Sequence, residues 1–398
     1  MKNEHIENQL LYILDDDEHY ALLLQKMAEK LGWQVVNEQS ASKFLENDLP
    51  EQVFLVLDLI MPEIDGIEVI RALISRPIEL SLILISGVEK RTLHSAQVLA
   101  EAYNINVVAS LTKPVSMQNF KDVLRKSAGE FAYNNNNNND LYTPSIAELK
   151  RAILEHQIEI YYQPQVSFTS NKILGVEALI RWNHPTQGLV PPNKFIPLAE
   201  KQGLIKLFTN EVVSLVARDC GQLQAIFELD TSISINISAN DITSLSLPEQ
   251  LNYLLEEHQI KPGNITFEIT ESAVMNDLVS FLDVLNRLSL KGFSLSIDDF
   301  GTGFSSLSLL YQAPFSELKI DQSFVGRMLE DPEALIIVEV CILLAKKMNM
   351  KTIAEGIETK KVWCALKDLG CDVAQGYFIC RPMSLDKIKD WYKGSPWK

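Results

Sequence analysis

The sequence predicts an α/β protein of two domains, one built on a parallel sheet and the other on a barrel. Apolar strands that alternate with helical segments occur in two separate sets, and most strands end in polar or acidic residues. A tract of six asparagines at residues 134–139 separates the sets and is typical of a flexible spacer. With 398 residues the chain is too long for one ordinary core. We therefore expect a first domain over residues 1–130, a linker over 131–144 and a second domain over 145–398.

The composition argues against large polyanions as partners. The chain has a formal net charge of -16, so it repels nucleic-acid backbones and anionic membranes. No uninterrupted apolar stretch is long enough to span a membrane, and the apolar run at residues 10–14 is too short for a signal peptide. The five cysteines lack paired metal-site spacing, which is typical of a reduced protein. We expect a cytoplasmic protein that binds neither DNA nor a membrane.

Four apolar strands are indicated in the first domain, at residues 10–14, 53–57, 81–85 and 105–111. Continuous apolar strands separated by helices are typical of a parallel sheet covered on both faces. Ligands of such sheets lie at the carboxyl ends of the strands. Those ends present Asp15, Asp16, Asp58, Ser86 and Lys113. A carboxylate nucleophile, acids for Mg²⁺, a hydroxyl and a lysine are what an aspartyl-phosphate site requires.

These motifs also carry a family resemblance. The domain resembles a response-regulator receiver in the pair Asp15-Asp16, the run LDLIMPEIDG around Asp58, Ser86-Gly87 and Lys113-Pro114. The resemblance implies a flavodoxin-like (βα)5 fold in which Asp58 accepts phosphate from a histidine kinase. It further implies that Asp15, Asp16 and Asp58 bind Mg²⁺, that Ser86 is the switch hydroxyl and that Lys113 contacts the phosphoryl group.

One position departs from the receiver pattern. Receivers usually carry an aromatic residue three positions before the lysine, and this chain has Ser110 there. We therefore do not expect the usual aromatic switch. The alternative is a receiver-like fold with a silent site, although every residue required for phosphorylation is present.

Strands with one polar and one apolar face recur in the second domain. Ser234, Asn236 and Ser238 share one face of SISINIS, and Thr266, Glu268 and Thr270 are spaced in the same way. An open antiparallel sheet with one wet face would give this pattern too. Long helical stretches between the strands favour parallel strands instead. Eight candidate strands begin near Glu159, Ile173, Ser232, Asn264, Phe293, Glu317, Lys351 and Val373, the number that closes a (βα)8 barrel.

The carboxyl ends of the predicted barrel strands form one set of oxygen-bearing side chains with a single lysine. In chain order they are Glu177, Asn236, Glu268, Asp298, Asp299, Lys319, Asp321, Glu355 and Gln375. Hard oxygen ligands without cysteine or histidine favour Mg²⁺ or Mn²⁺. Two such ions can activate a water and hold the oxygens of a phosphodiester.

The second domain resembles the EAL family of cyclic di-GMP phosphodiesterases along nearly its whole length. The name motif is Glu177-Ala178-Leu179. Further matching motifs are YYQP at 161–164, FEITE at 267–271, DDFGTG at 298–303, LKID at 318–321, AEGIE at 354–358 and QGYF at 375–378.

The resemblance implies a TIM-like (βα)8 barrel and a role for each matching residue. One metal ion would be held by Glu177, Asn236, Glu268 and Asp298, and a second by Asp298, Asp299 and Asp321. Lys319 would position the attacking water and Glu355 would be the general base. Arg181 would contact a phosphate, Gln163, Leu179 and Gln375 would lie near the substrate, and Glu271 would anchor the loop at 299–305.

Together the two resemblances predict a response regulator that hydrolyses cyclic di-GMP to linear pGpG under the control of phosphorylation. We expect a homodimer or a higher homo-oligomer. The alternative from another class is a module that binds cyclic di-GMP without cleaving it and relays its occupancy to a partner protein. Such a module is expected to lack a ligand acid, the lysine or the base, and this sequence lacks none of them.

Overall fold

The computed structural model describes residues 10–87, 90–103, 105–125, 142, 144–227, 231–270, 277–302 and 306–398. Contacts divide the chain into two units, Met1–Leu141 and Tyr142–Lys398, and each is described by itself. The asparagine tract and most of the predicted linker lie outside the described residues, and the domain boundaries given above stay a prediction. None of the described helices is long and apolar enough to cross a membrane.

The first unit contains a five-stranded parallel sheet in the order β2-β1-β3-β4-β5. Its strands are β1 Leu10–Leu14, β2 Gln34–Glu38, β3 Gln52–Asp58, β4 Glu79–Ser86 and β5 Asn106–Thr112. Its helices are Glu18–Glu29, Ala41–Glu46, Gly66–Ile74 and Lys90–Ala102, and residues 117–125 are helical as well. This strand order is that of flavodoxin-like folds, which confirms the predicted fold class.

Two apolar clusters cover the two faces of this sheet. Along β3, Leu55 and Leu57 join one cluster while Phe54 and Val56 join the other. Successive side chains of a strand point to opposite faces, so a strand covered on both faces is apolar throughout. The edge strand β2 was not predicted from the sequence, because its segment QVVNE is largely solvent-accessible and lacks a long apolar run.

The second unit is an eight-stranded barrel with two short additional strands, which confirms the predicted architecture. The strands follow the order β15-β6-β14-β13-β12-β11-β10-β9-β7-β8, and pairing of β6 with β7 closes the barrel. Their bounds are β6 Ile158–Ser167, β7 Ile173–His184, β8 Gly188–Val190, β9 Ser232–Asn236, β10 Ile265–Thr270, β11 Ser294–Phe300, β12 Glu317–Ile320, β13 Lys351–Ala354, β14 Val373–Ala374 and β15 Met383–Ser384.

Helices follow most of the barrel strands. The described helices are Ile146–Leu154, Pro192–Lys201, Ile205–Phe227, Ala239–Ile242, Leu247–Glu257, Leu278–Leu290, Ser306–Gln312, Gln322–Val325, Pro332–Lys347, Lys360–Asp368 and Leu385–Gly394, with a 3-10 turn at Pro262–Asn264. The helix Ile146–Leu154 begins at a capping box. The Ser145 side chain accepts from the Glu148 backbone amide, and the Glu148 side chain accepts from the Ser145 backbone amide.

The first barrel strand differs from the expectation that all strands are parallel. β6 is antiparallel to both of its barrel neighbours, β7 and β14. The chain between β6 and β7 spans only residues 168–172, which is too short for the crossover that two adjacent parallel strands require. The remaining barrel strands, from β7 through β14, pair in parallel.

Alternation along the strands gives the barrel an apolar outside and a polar inside. Ile235 and Phe267 belong to the apolar core that includes the surrounding helices, whereas Glu268, Ser296 and Lys319 are buried polar residues. The parallel register places Glu268 beside both Asn236 and Ser296. Neighbouring strands therefore deliver their polar side chains to the same level of the barrel.

The turn after β14 depends on a glycine. Gly376 has φ of 156°, and a Cβ there would lie 2.2 Å from both the N and O atoms of Ile357. The backbone is fixed because the Ile357 amide donates to the Gln375 carbonyl at 3.1 Å. We predict that Gly376→Ala destabilises the second unit by roughly 3 kcal/mol, measured by chemical denaturation.

The matched control for this prediction is Gly221→Ala. Gly221 lies inside the helix Ile205–Phe227, and a Cβ there meets nothing within 4 Å. Alanine favours a helix over glycine by about 0.5–1 kcal/mol, so this variant is expected to be as stable as the parent or more so. Equal stability of the two variants would contradict the assigned backbone contact.

Candidate active site

Lys319 lies at the centre of the predicted carboxylate cluster. Its Nζ is 2.6 Å from Glu268 Oε2, 2.6 Å from Glu355 Oε1, 3.2 Å from Asp298 Oδ1 and 3.7 Å from Glu177 Oε1. The lysine is 1% exposed. An ammonium is stable in such a dry place only because carboxylates surround it. Glu177, Glu268 and Asp298 lie on three different strands and Glu355 directly follows a fourth, so the barrel itself assembles the cluster.

Amide side chains orient the Glu177 carboxylate from two sides. Asn236 Nδ2 donates to Glu177 Oε1 at 2.7 Å, and Gln375 Nε2 donates to Glu177 Oε2 at 2.5 Å. The Asn236 amide nitrogen is thereby used, and its Oδ1 is the atom left to bind a cation. Gln375 was expected near the substrate, and the structure additionally places it in direct contact with a predicted metal ligand.

Asp298 and Asp299 lie at the end of β11, close to Glu355, which directly follows β13. One oxygen from each of the three lies within 4.8 Å of the others. Asp299 adopts φ of 54°, a conformation that is uncommon for a residue with a side chain. Asp321 follows β12, and its Oδ1 accepts from the Ser323 amide at 2.9 Å. It caps the helix Gln322–Val325 while its charge acts on Asp299.

A cavity of about 260 Å³ adjoins this cluster. All four predicted substrate contacts, Gln163, Leu179, Arg181 and Gln375, line it together with Glu177, Asp298 and Glu355. Its lining also includes residues to which the sequence analysis assigned no role, namely Gln322, Gly356, Glu358, Gly376, Tyr377 and Pro382. Glu358 and Tyr377 lie in the motifs AEGIE and QGYF and could have been found there.

The loop predicted to be anchored by Glu271 is described only in part. Glu271 and residues 303–305 lie outside the described residues. Within the described portion, Thr302 Oγ1 donates to the Asp299 carbonyl at 2.8 Å. The anchoring role therefore stays a prediction.

The predicted phosphoacceptor residues of the first unit also meet at the carboxyl edge of their sheet. Lys113 Nζ lies 2.7 Å from Asp15 Oδ2 and 2.6 Å from Asp58 Oδ2. Asp15, Asp16 and Asp58 each offer an oxygen within 4.8 Å of the others. Ser86 is buried at the end of β4, and its carbonyl accepts from the Lys113 amide at 2.8 Å. Asp17, the third acid of the run, instead caps the next helix by accepting from the His19 and Tyr20 amides.

Burial and mutual repulsion act on the ionisable groups of the first site. Burial raises the pKa of Asp15, although the adjacent Lys113 opposes the effect. Burial lowers the pKa of Lys113, but Asp15 and Asp58 outweigh it, so that the net shift is upward. The lysine is therefore cationic and neutralises part of the acidic cluster.

Ser110, where an aromatic residue was expected, makes a polar contact. Its Oγ donates to Gln97 Oε1 at 2.9 Å. Gln97 lies on the helix Lys90–Ala102, so this strand and helix are joined by a hydrogen bond at the position where receivers carry a ring.

Comparison with known families assigns both units. A profile described as "EAL domain" matches residues 146–382, which is more than half of the chain. The chain belongs to the EAL domain family. A profile described as "Response regulator receiver domain" matches residues 11–125. Both predicted resemblances are confirmed, and the chain combines a receiver domain with an EAL domain.

Two curated proteins of Pseudomonas aeruginosa are similar to this EAL protein. Cyclic di-GMP phosphodiesterase RocR is 31% identical over 351 residues, which cover 85% of this chain and 86% of RocR. The bifunctional diguanylate cyclase/cyclic di-GMP phosphodiesterase MucR is 36% identical over 273 residues, which cover 69% of this chain but 40% of MucR. The chain thus spans most of RocR and less than half of MucR.

A solved structure shares the fold of the EAL domain. The phosphodiesterase of MucR in complex with cyclic di-GMP is 37% identical, with a TM-score of 0.58 over 61% of this chain and 98% of that chain. The EAL enzyme Bd1971, with cAMP and cyclic di-GMP bound, is 34% identical with a TM-score of 0.59, covering 69% of this chain and 73% of that one.

The ionisation of the EAL cluster fits a site for divalent cations. Burial, supported by Glu177, Asp298 and Glu355, raises the pKa of Glu268 well above its usual value against the effect of Lys319. Glu268 Oε1 is buried without a hydrogen-bond partner. A carboxylate oxygen buried in this way is costly unless a cation or a proton meets it. The oxygen-only donor set is the type that Mg²⁺ and Mn²⁺ prefer, so the residues fit these ions.

Two further acids of the EAL cluster resist ionisation without a cation. Burial, opposed by Lys319 and supported by Asp298 and Glu177, raises the pKa of Glu355 to about 8. Burial and the charges of Asp298 and Asp321 raise the pKa of Asp299 to about 6. Glu177 shows the opposite shift, because Lys319, Gln375 and Asn236 together outweigh burial and lower its pKa.

We predict that the metal-free EAL domain loses stability as pH rises from 4.5 to 8. Glu355 has a folded-state pKa of about 8 against an ordinary value of 4.5, so the folded protein binds more protons than the unfolded protein within this window. Stability therefore falls as pH rises through it. Calorimetric unfolding of the full chain in EDTA checks the slope.

The control variant for the pH experiment is Glu355→Gln, which keeps the shape and removes the titration. Its melting temperature is expected to fall less steeply with pH than that of the parent. Identical slopes for the two proteins would show that Glu355 ionises normally.

Proposed function

We propose that this protein hydrolyses cyclic di-GMP to linear pGpG in its EAL domain. The observation that carries the proposal is the convergence of Lys319 with three buried carboxylates and the half-buried Glu355, beside a cavity lined by Arg181 and Gln163. The names of RocR and MucR and the ligand of the MucR complex support the choice of substrate.

The proposed ligands divide into two groups. Glu177, Asn236, Glu268 and Asp298 would hold one ion, and Asp298, Asp299 and Asp321 would hold the second. When bound, divalent cations supply Lewis-acid stabilisation of the phosphodiester oxygens and lower the pKa of a bound water. The assignment is supported by the oxygen-only donor set and by the partnerless Glu268 Oε1.

The chain's own residues supply proton transfer and positioning. Glu355 Oε1 contacts Lys319 Nζ at 2.6 Å, so Lys319 can hold both the base and the water beside it. We assign Glu355 as the base that accepts the proton of the attacking water. The water oxygen bonds to phosphorus and one ester bond of the ring breaks. The leaving oxygen takes a proton from solvent and Glu355 returns its proton to solvent, so that the products are a phosphate monoester and a hydroxyl group.

Residues of the cavity wall would orient the substrate. Arg181 is half-buried, with its guanidinium carbon 5.8 Å from the Tyr161 ring centroid, and its Nη1 donates to the Ile180 carbonyl at 2.8 Å. These contacts fix the guanidinium at the cavity, where it would bind a phosphate of the substrate. Gln163, Leu179 and Gln375 would contact the rest of the dinucleotide.

The decisive experiment measures turnover of cyclic di-GMP by the full chain in Mg²⁺ and in Mn²⁺. We expect pGpG as the product. Glu177→Ala is expected to reduce the rate by roughly a thousandfold, because it removes a ligand and the shared acceptor of the Asn236 and Gln375 amides.

The matched control is Glu317→Gln, an acid of the same barrel whose side chain pairs with Lys351 at 3.6 Å and does not join the Lys319 cluster. This variant is expected to keep turnover. Tight binding of cyclic di-GMP without product in either metal would instead support the alternative, a binding module that relays occupancy to a partner.

For the receiver domain, we propose that a histidine kinase phosphorylates Asp58 and that this changes the rate of hydrolysis. Asp58 Oδ1 accepts from the Ile60 amide at 3.0 Å, while Oδ2 contacts Lys113, so the carboxylate is held beside the cation that would meet a phosphoryl oxygen. Asp15, Asp16 and Asp58 would bind Mg²⁺. A homodimer or higher homo-oligomer in the cytoplasm completes the proposal.

Asp58→Asn tests the regulation. Treatment of the parent with acetyl phosphate and Mg²⁺ is expected to add one phosphoryl group, seen by intact mass, and to change the turnover of cyclic di-GMP. The asparagine variant keeps the side-chain shape but lacks the nucleophile, so neither change is expected. Phosphorylation without any change in turnover would contradict the coupling and leave the hydrolase intact.

A further inference from the structure

A chain of buried glutamines runs from the barrel wall to a predicted metal ligand. Gln165 Nε2 donates to Gln375 Oε1 at 3.0 Å. Gln375 Nε2 then donates to Glu177 Oε2 and, at 3.2 Å, to Gln163 Oε1. These side chains are 3–7% exposed, so the amides have little bulk water with which to exchange partners.

We propose that Gln165 is a positioning residue that fixes the amide of Gln375 and, through it, the carboxylate of Glu177 for metal binding. The inference rests on the proposed function of the EAL cluster and extends it to a residue that makes no contact with that cluster's lysine. Gln165 is absent from the lining of the substrate cavity, so it acts only through its neighbour.

The direction of each hydrogen bond follows from the chemistry of an amide. Gln375 needs an NH₂ group facing Glu177, because a carbonyl oxygen there would repel the carboxylate. A flip of this amide would exchange its oxygen and nitrogen. Gln165 opposes the flip, because its NH₂ donates to Gln375 Oε1 and would face a second NH₂ group after the flip. The NH₂ group of Gln165 therefore favours the orientation of Gln375 that the Glu177 carboxylate requires.

The backbone holds the other end of this relay in place. Ala374 of β14 pairs with Val166 of β6, which sets Gln375 beside Gln165. The backbone N–H of Gln375 donates to the Ala354 carbonyl at 2.9 Å, and the backbone carbonyl of Gln375 accepts from the Ile357 amide at 3.1 Å. With the main chain pinned on both sides, the remaining freedom of Gln375 lies in its side chain, which Gln165 restrains.

The strand opposite Gln165 leaves space for its side chain. Gln165 pairs with Gly175 in the β6 and β7 register, and a Cβ at Gly175 would lie 2.6 Å from the Ser232 carbonyl oxygen and 3.2 Å from Gln165 Oε1. The next inward pair on the same two strands is Gln163 and Glu177. Glycine at 175 thus lets the amide lie against the strand that carries the metal ligand.

The test measures Mn²⁺ binding to the full chain by titration calorimetry, independently of turnover. Gln165→Leu is expected to weaken Mn²⁺ binding roughly tenfold, the effect typical of removing a group that orients a metal ligand. Ser167→Ala is the matched control: it lies two residues along the same strand and accepts from the Thr169 and Ser170 amides, and its affinity is expected to stay unchanged. Gln165→Met, unbranched and of similar length, serves if the leucine variant does not fold.

A double variant distinguishes a relay from a general defect of the barrel. If Gln165 acts through Gln375, then Gln165→Leu has no further effect on Mn²⁺ affinity in a Gln375→Ala background. An additional tenfold loss in that background would overturn the proposal, as would unchanged affinity in the single variant or an absence of Mn²⁺ binding by the parent. Mn²⁺ binding by the parent without hydrolysis would overturn the proposed function and leave the relay standing.

Discussion

The buried ammonium of Lys319 is the charge on which the EAL domain depends. One cation faces four carboxylates inside the barrel. The cluster therefore carries an excess of negative charge when these acids are ionised. Without the lysine the acids would repel one another in a medium that screens poorly. With the lysine present, the excess negative charge is small enough for the domain to fold and large enough to attract divalent cations. Burial, together with the charges of the neighbouring acids, raises the pKa values of Glu268 and Glu355 against the effect of this lysine.

The receiver domain also has a lysine between carboxylates, but this lysine is more accessible to solvent. Lys113 bridges Asp15 and Asp58 with its side chain 20% exposed, whereas that of Lys319 is 1% exposed. Lys113 directly follows β5 and Lys319 lies near the end of β12. Each lysine is therefore close to the carboxyl end of a parallel strand, where ligands of such sheets bind. The difference in depth fits the proposed chemistry, since a phosphoryl donor must reach Asp58 from outside, while a hydrolytic water must be held inside a closed wall.

The sequence predicts what depends on local periodicity and misses what depends on partners. The alternation around Glu268 and Lys319 predicts an inward polar face, and the acids at strand ends predict the cluster. The direction of β6 is not a local property, since a hairpin and a crossover begin from the same strand pattern. Gln165 was missed for the same reason. Nothing in its neighbours reveals that it meets Gln375, which lies 210 residues away.

The reversed direction of β6 separates two ends of the barrel with different tolerance to change. Its carboxyl end at Ser167 pairs with Val373, where the parallel strand β14 begins, so the turn over residues 168–172 lies at the face opposite the carboxylates. Phe168 at its start is buried and donates its amide to the Asp372 carbonyl at 3.0 Å, whereas residues 169–172 are exposed and the Ser167 amide donates to the Lys172 carbonyl at 2.9 Å across them. Evolution, or an engineer who grafts a tag or a sensor module, can lengthen the chain here without displacing a reacting atom.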